Sequence, residues 1–236
     1  MKLKTISTLC FAASTMLVAS SAMAWESEDG AWSTSANVAL SSEYMWRGQP
    51  LSGSDPAISG GLDIAHSSGL YAGTWASNIE HADGSIEIDY YVGFGGEFGD
   101  SGVSYDVGGL YYDFPGIEDF DYVEVYAFLG YSFLSAGVSY SLDAFDADYQ
   151  GAEDNLYYQL DASYDVGSVT LAAGVGRYDY DDNAAWGLED YTNYYIGAST
   201  ELAGFGLDLT YHDTNSGSSD ENNFDDGVVF TISKSM

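Results

Sequence analysis

Apolar and polar side chains alternate along most of this chain with a period of two. In residues 85–98 the apolar side chains fall on even positions, from Ile86 to Phe94, and most of the odd positions hold acidic residues or glycine. This period is typical of a β-strand with one apolar and one polar face. A strand of about a dozen residues exceeds the ~5 to 6 of a typical soluble strand and suits the ~9 to 11 that cross a bilayer at a tilt.

The same alternation recurs in twelve segments along the sequence. They cover residues 34–46, 56–66, 70–80, 85–98, 103–113, 120–133, 136–145, 155–165, 169–180, 191–202, 205–214 and 226–236. The connections at 67–69, 99–102, 134–135, 166–168 and 203–204 are short, whereas those between them are generally longer and very acidic. Short periplasmic turns, longer outward loops and an even strand number are typical of outer-membrane barrels. The sequence therefore predicts an all-β, transmembrane, antiparallel up-and-down β-barrel of about 12 strands.

Aromatic residues on the predicted apolar faces suggest two belts at the membrane interfaces, as barrels commonly have. The belt beside the short turns would hold Tyr71, Phe98, Tyr105, Phe133, Tyr164 and Phe205. The belt nearer the long loops would hold Tyr90, Tyr111, Tyr158, Tyr194 and Tyr211. An exported β-sandwich also has alternating strands, but its strands are usually shorter and its connections lack this alternation of short and long.

Composition agrees with this architecture and indicates export. The chain holds 21 Tyr, 11 Phe and 28 Gly but 3 Pro, a mixture that favours strands and tight turns over long helices. Residues 1–24 have the basic start, apolar run and small-residue end of a secretory signal peptide, with cleavage predicted after Ala24. Residues 25–236 would then form one barrel domain located in the outer membrane.

The charge balance narrows the choice of partners. The chain has 37 acidic residues, 5 Lys plus Arg, and a formal net charge of −32, which excludes nucleic acid as a partner and favours cations. The acidic loops lack the spacing of a recognised calcium-binding loop, and we predict neither a metal nor a cofactor. Carboxylates that line a confined passage attract cations. The candidate pore-lining residues are Glu43, Asp63, Glu87, Asp89, Glu97, Asp106, Glu124, Asp143, Asp161, Glu201 and Asp208.

One basic residue stands out beside these acids. Arg47 lies between a predicted strand and its loop, where it could pair with inward acids and brace the loop across the mouth of the barrel. Several bulky residues share the inward parity, and they leave open whether the lumen is narrow or blocked. These residues are Tyr91, Tyr112, Tyr122, Tyr126 and Tyr157.

The N-terminal third carries motifs that resemble a known family. They are Ser-Glu-Tyr-Met-Trp-Arg-Gly at 42–48, Asp-Pro-Ala at 55–57, Gly-Gly-Leu-Asp at 60–63 and Ser-Gly-Leu-Tyr-Ala-Gly-Thr-Trp-Ala-Ser-Asn at 68–78. With Glu-Ile-Asp-Tyr-Tyr-Val-Gly at 87–93, these stretches resemble the TorF-type porin family, also catalogued as Gcw_chp proteins. The resemblance implies an outer-membrane barrel with a porin role and brings no catalytic residues with it.

Together these observations predict a porin-like channel that passes small cationic or neutral solutes by passive diffusion and is not an enzyme. Its other expected partners are outer-membrane lipid, lipopolysaccharide and the barrel-assembly machinery. One alternative is a plugged barrel that acts as a surface adhesion or envelope-organising protein. Another is a barrel hydrolase with His212 as base and Asp208 as its orienting carboxylate, although no nucleophile motif accompanies them.

Overall fold

The computed structural model describes residues 24–117, 120–142, 154–181, 189–215 and 226–236. Twelve antiparallel strands close into a barrel within these ranges. They are β2 (Trp32–Ser41), β5 (Ala57–His66), β6 (Leu70–Asn78), β7 (Ile86–Glu97), β8 (Val103–Asp113), β9 (Tyr122–Tyr131), β10 (Leu134–Leu142), β11 (Leu156–Val166), β12 (Val169–Asp179), β13 (Tyr191–Leu202), β14 (Phe205–Thr214) and β15 (Gly227–Ser235).

Three further strands are very short. β1 (Trp25–Glu26) pairs with the beginning of β2, and β3 (Met45–Trp46) pairs with β4 (Gln49–Pro50) inside the connection from β2 to β5. Across the described ranges, no helix is both long and apolar enough to span a membrane. The predicted signal peptide lies outside the described residues apart from Ala24.

The barrel closes where its last strand meets its first. β15 pairs with one edge of β2, where Thr231 lies opposite Ser41 and Ser235 lies opposite Asn37. The other edge of β2 pairs with β5 along its whole length. Closure matters because an unpaired backbone group in the hydrocarbon core of a bilayer costs several kcal/mol. The predicted antiparallel barrel of about 12 strands is confirmed.

The alternation of side chains decides which face of the wall meets which solvent. On β5, Ile58 and Leu62 point outwards and are 61% and 62% exposed, whereas Ala57 points inwards and is 2% exposed. The same parity on the other strands leaves Leu, Ile, Val and aromatic side chains on the outside. An outward apolar band is what a lipid-embedded barrel presents. The soluble β-sandwich is excluded, because its apolar faces would pack against each other.

The predicted strand boundaries are wrong at two connections. β2 ends at Ser41 rather than at residue 46, because the chain leaves the wall there and turns into the lumen. β9 ends at Tyr131 and β10 begins at Leu134, so the short turn is residues 132–133 rather than 134–135. Ser132 takes a φ of 59°, in the left-handed region that tight two-residue turns use.

The aromatic belts have one exception to the predicted parity. Tyr71 faces the lumen, because β6 places Leu70 outside. The Tyr71 hydroxyl donates a hydrogen bond to Asp106 Oδ1 at 2.6 Å. The other residues predicted beside the short turns include Phe98, Phe133 and Tyr164, which are exposed on the outside.

If the outward side chains face lipid, an arginine substitution should destabilise the barrel more at the middle of the bilayer than near its surface. Leu209 lies mid-way along β14 and is 53% exposed, whereas Leu202 ends β13 beside a short turn and is 65% exposed. We expect Leu209→Arg to lower the free energy of unfolding in phospholipid vesicles by about 2–4 kcal/mol, and Leu202→Arg by about 0–1 kcal/mol. Denaturant titration of both variants measures this, and equal costs would contradict a lipid-facing β14.

Candidate functional site

The connection from β2 to β5, residues 42–56, folds into the barrel, and we call it the lumen loop. Its hairpin pairs Trp46 with Gln49. The two residues of the tip, Arg47 and Gly48, have φ angles of 49° and 83°. Two consecutive positive φ angles belong to the type I′ turn of a two-residue hairpin. Residues 44–48 are all buried, so the tip of the loop lies inside the wall and not in the external solvent.

The tip is attached to the barrel wall by a buried ion pair. Arg47 donates from Nη1 to Glu124 Oε1 and from Nη2 to Glu124 Oε2, both at 2.7 Å. Such a two-point pairing is the strongest geometry available to arginine and a carboxylate. The guanidinium carbon lies 4.5 Å from the ring centre of Trp46 and 4.2 Å from that of Tyr157. These rings add cation–π attraction at a site from which water is excluded.

Other contacts of the lumen loop reach the wall on both sides of the barrel. The Tyr44 hydroxyl donates to Glu87 Oε1 on β7 at 3.0 Å. Gln49 Nε2 donates to the hydroxyl of Tyr191 on β13 at 2.8 Å. Both wall residues lie near the strand ends that carry the long loops. The lumen loop therefore crosses the barrel and narrows it near that end.

Three of the predicted pore-lining acids lie at the level of this loop. Glu87, Asp89 and Glu124 point inwards and are buried. Four others, Asp63, Asp106, Asp161 and Asp208, also lie on inward positions, at mid-strand or nearer the short turns. The inward face of the described barrel thus carries these seven carboxylates.

The remaining acids of the prediction lie elsewhere. Glu43 belongs to the lumen loop and not to a strand face, because β2 ends at Ser41, and its Oε1 accepts a hydrogen bond from Ser54 N at 2.8 Å. Its placement on the wall is a wrong prediction. Glu97 and Glu201 are exposed at the ends of their strands beside short turns. Asp143 lies outside the described residues.

Two of the inward acids belong to rows that run across three neighbouring strands. In one row Asp63, Gly73 and Tyr91 are directly opposite one another on β5, β6 and β7, and the Tyr91 hydroxyl donates to Asp63 Oδ1. Neighbouring strands are ~4.8 Å apart, so a tyrosine reaches an acid two strands away only by lying along the wall. A Cβ at Gly73 would lie 2.5 Å from Tyr91 Cζ, so glycine is needed there.

The second row repeats this arrangement on the other side of the barrel. Asp161, Gly174 and Tyr195 are opposite one another on β11, β12 and β13. The Tyr195 hydroxyl donates to Asp161 Oδ1 at 2.7 Å, across the glycine. A side chain at position 174 would collide with the Tyr195 ring. Both tyrosines therefore extend along the wall instead of pointing at the barrel axis.

A third arrangement joins four strands, with a tyrosine at each end. Tyr71 lies opposite Gly93, Gly93 opposite Gly108, and Gly108 opposite Tyr126. The two hydroxyl oxygens are 2.6 Å apart, and Tyr71 also donates to Asp106 Oδ1. These two rings also lie over glycine backbone, at Gly93 and Gly108.

Basic residues do little to neutralise the inward acids. In the described ranges, Arg47 is the one Lys or Arg that points into the lumen. Arg177 lies on the outward parity and pairs with Asp179 at 2.6 Å and Asp190 at 2.9 Å. Lys234 is also on the outward parity, and its Nζ donates to the Gly204 carbonyl. The described lumen therefore carries a strong excess of carboxylates.

The residues of the proposed hydrolase pair are not arranged for catalysis. His212 and Asp208 both point inwards from β14, but residues four apart along a strand are separated by about 13 Å. Asp208 Oδ1 instead accepts a hydrogen bond from Thr210 Oγ1 at 2.8 Å. The carboxylate therefore cannot orient the imidazole, which removes the geometric basis of that alternative.

The comparisons with known proteins agree with the geometry. The family model described as "Bacterial protein of unknown function (Gcw_chp)" matches residues 26–236. No curated protein sequence matches the chain. The Gcw_chp resemblance is therefore confirmed, whereas the TorF-type name stays a prediction.

Solved outer-membrane porins share the fold. A structure described as KdgM porin superposes with a TM-score of 0.55 at 8% identity, and covers 85% of this chain and 97% of that one. KdgM porin in complex with disordered oligogalacturonate gives 0.54 at 6% identity, with coverage of 86% and 97%. The NanC porin gives 0.51 at 10% identity, with coverage of 85% and 97%. At these identities the likeness establishes the fold alone.

The buried ion pair predicts an asymmetric mutational result. We expect Arg47→Met to lower the free energy of unfolding in vesicles by about 3–5 kcal/mol, because Glu124 is left buried without its counter-charge. Replacing both residues, as Arg47→Met with Glu124→Leu, should recover part of this loss. Denaturant titrations of the three proteins measure it, and a double variant no more stable than the single one would contradict the pairing.

Proposed function

The chain belongs to the Gcw_chp family, and we propose that it is a porin-like channel of the outer membrane through which small solutes, preferentially cations, diffuse passively. The porin-like fold supports the channel, and the outward apolar band supports the location. We further propose that a signal peptide cleaved after Ala24 directs export. Lipid, lipopolysaccharide and the barrel-assembly machinery are then the partners in the envelope.

The excess of inward carboxylates is the observation that carries the preference for cations. Seven acids, at positions 63, 87, 89, 106, 124, 161 and 208, face the described lumen, against the guanidinium of Arg47. Carboxylates along a confined, low-dielectric passage attract cations and repel anions. The tyrosine hydroxyls that donate to Asp63, Asp106 and Asp161 hold these carboxylates in place without cancelling their charge.

The acidic lumen makes this chain unsuited to the solute that has been found with one structural neighbour. KdgM has been captured with oligogalacturonate, a chain of sugar carboxylates. An acidic lumen would repel such a polyanion. We therefore propose that this chain has the same type of barrel as KdgM but selects cationic solutes, together with neutral ones.

A second candidate function follows from the lumen loop. The loop crosses the barrel and is held on β7, β9 and β13. If it seals the barrel, the protein would be a plugged barrel that serves adhesion or envelope organisation through its acidic outer loops. Replacing Arg47 and Glu124 distinguishes an open channel from a plugged barrel, because this ion pair holds the tip of the lumen loop on the wall.

The channel proposal predicts a cation-biased reversal potential in a planar bilayer with a KCl gradient. Because Asp106 and Asp161 face the lumen, we expect Asp106→Asn combined with Asp161→Asn to reduce the cation preference by about two-fold or more. Asp179→Asn, on the outward-facing pair with Arg177, is the matched control and should leave the preference unchanged. An anion-biased potential in the parent protein would overturn the proposal.

Release of the lumen loop predicts a larger conductance. We expect Arg47→Ala with Glu124→Ala to raise single-channel conductance, because the tip then loses the ion pair that fixes it to the wall. Arg177→Ala serves as the control, since that residue is outside the lumen. If the parent is silent at every voltage and the double variant conducts, the plugged barrel is supported and the channel proposal fails.

A further inference from the structure

The tyrosine rows determine which surface the lumen offers to a solute. Each row places a glycine directly opposite a tyrosine, so the ring lies over backbone. A ring in that position has one face against the wall and turns the other towards the lumen. Tyr71, Tyr126 and Tyr195 point inwards and remain partly exposed.

Next to each of these ring faces is a carboxylate. Asp161 accepts from Tyr195, and Asp106 accepts from Tyr71, whose hydroxyl also contacts that of Tyr126. A tyrosine hydroxyl that donates to a carboxylate keeps the negative charge beside the edge of its own ring. The lumen therefore presents an electron-rich ring face and an anionic group side by side at Tyr195 with Asp161 and at Tyr71 and Tyr126 with Asp106.

This pairing of groups suits one class of solute. Electron-rich ring faces attract cations, and quaternary ammonium groups are recognised in proteins by aromatic side chains. An organic ammonium ion carries apolar methyl groups that cover a ring face and a charge that a nearby carboxylate attracts. A small inorganic ion holds its water more tightly and gains less from the ring. Carboxylates alone would not distinguish these two kinds of cation.

We propose that the lumen contains two binding sites for organic ammonium ions, one at Tyr195 and Asp161 and the other at Tyr71, Tyr126 and Asp106. This proposal rests on the proposed channel function and names its solute class. Both sites lie on the short-turn side of the lumen loop. Asp106 and Tyr71 are near the short-turn ends of their strands, and Asp161 lies four residues beyond Tyr157, the β11 residue that contacts Arg47. The lumen loop therefore does not lie between these residues and the short-turn end of the barrel.

The test is equilibrium binding of tetramethylammonium chloride to the purified, folded barrel in detergent, at constant ionic strength with sodium as the replacing cation. We expect saturable binding that is tighter than that of sodium. Tyr195→Leu with Tyr71→Leu should weaken it by about 2- to 30-fold for each ring lost. Tyr195→Phe keeps the ring face, and its affinity should stay within about two-fold of the parent.

Tyr194→Leu is the matched control, because Tyr194 is the neighbour of Tyr195 on β13 and points outwards. Heat-modifiable gel migration reports whether each variant is folded. Tetramethylammonium that binds no more tightly than sodium would overturn the proposal, and so would full affinity in a folded Tyr195→Leu, Tyr71→Leu protein. Binding with no conductance would reject the channel and keep these sites, whereas cation-selective conductance without binding would do the reverse.

Discussion

The requirement that every backbone amide find a partner inside the bilayer governs this structure. Hydrocarbon offers no hydrogen bonds, so a sheet can cross it only if its last strand pairs with its first. The pairing of β15 with β2 meets that condition. Closure then gives the wall two different solvents, lipid outside and a confined interior, and the two-residue period of each strand assigns alternate side chains to them. The acidic interior follows from this division.

The interior has to accommodate many large aromatic side chains, and at the level of the lumen loop Trp46, Tyr157 and Tyr191 pack in one buried cluster. Twelve strands enclose more space than the side-chain-filled eight-stranded barrels and less than the open sixteen-stranded porins. Opposite-strand glycines such as Gly73 and Gly174 allow tyrosine rings to lie along the wall, and the acid on the next strand fixes the hydroxyl. The arrangement secures buried polar groups by hydrogen bonding and keeps the carboxylates in the lumen.

The position of the lumen loop depends on contacts that offset two unfavourable features, a positive φ angle and buried charges. Its tip holds Arg47 at a positive φ, a conformation unfavourable for most residues other than glycine. A buried ion pair also loses the hydration of both charges, and only good geometry offsets that cost. Glu124 provides this geometry with two hydrogen bonds, and the rings of Trp46 and Tyr157 surround the guanidinium. The loop thus depends on one residue pair for its position across the barrel.

The sequence alone determined the barrel, the strand number and the face of most residues, because a period of two is a local property that each strand displays by itself. It also determined the acidic excess of the interior. Only the tertiary structure decided the path of the lumen loop and the contacts between residues that are distant in the sequence. Residues 42–56 have no period that reveals their entry into the lumen, so the sequence wrongly predicts Glu43 on a strand. The rows through Gly73 and Gly174 depend on which residues lie opposite one another when the strands pair. The ion pair of Arg47 with Glu124 joins the lumen loop to a distant strand. Both are set only when the sheet closes.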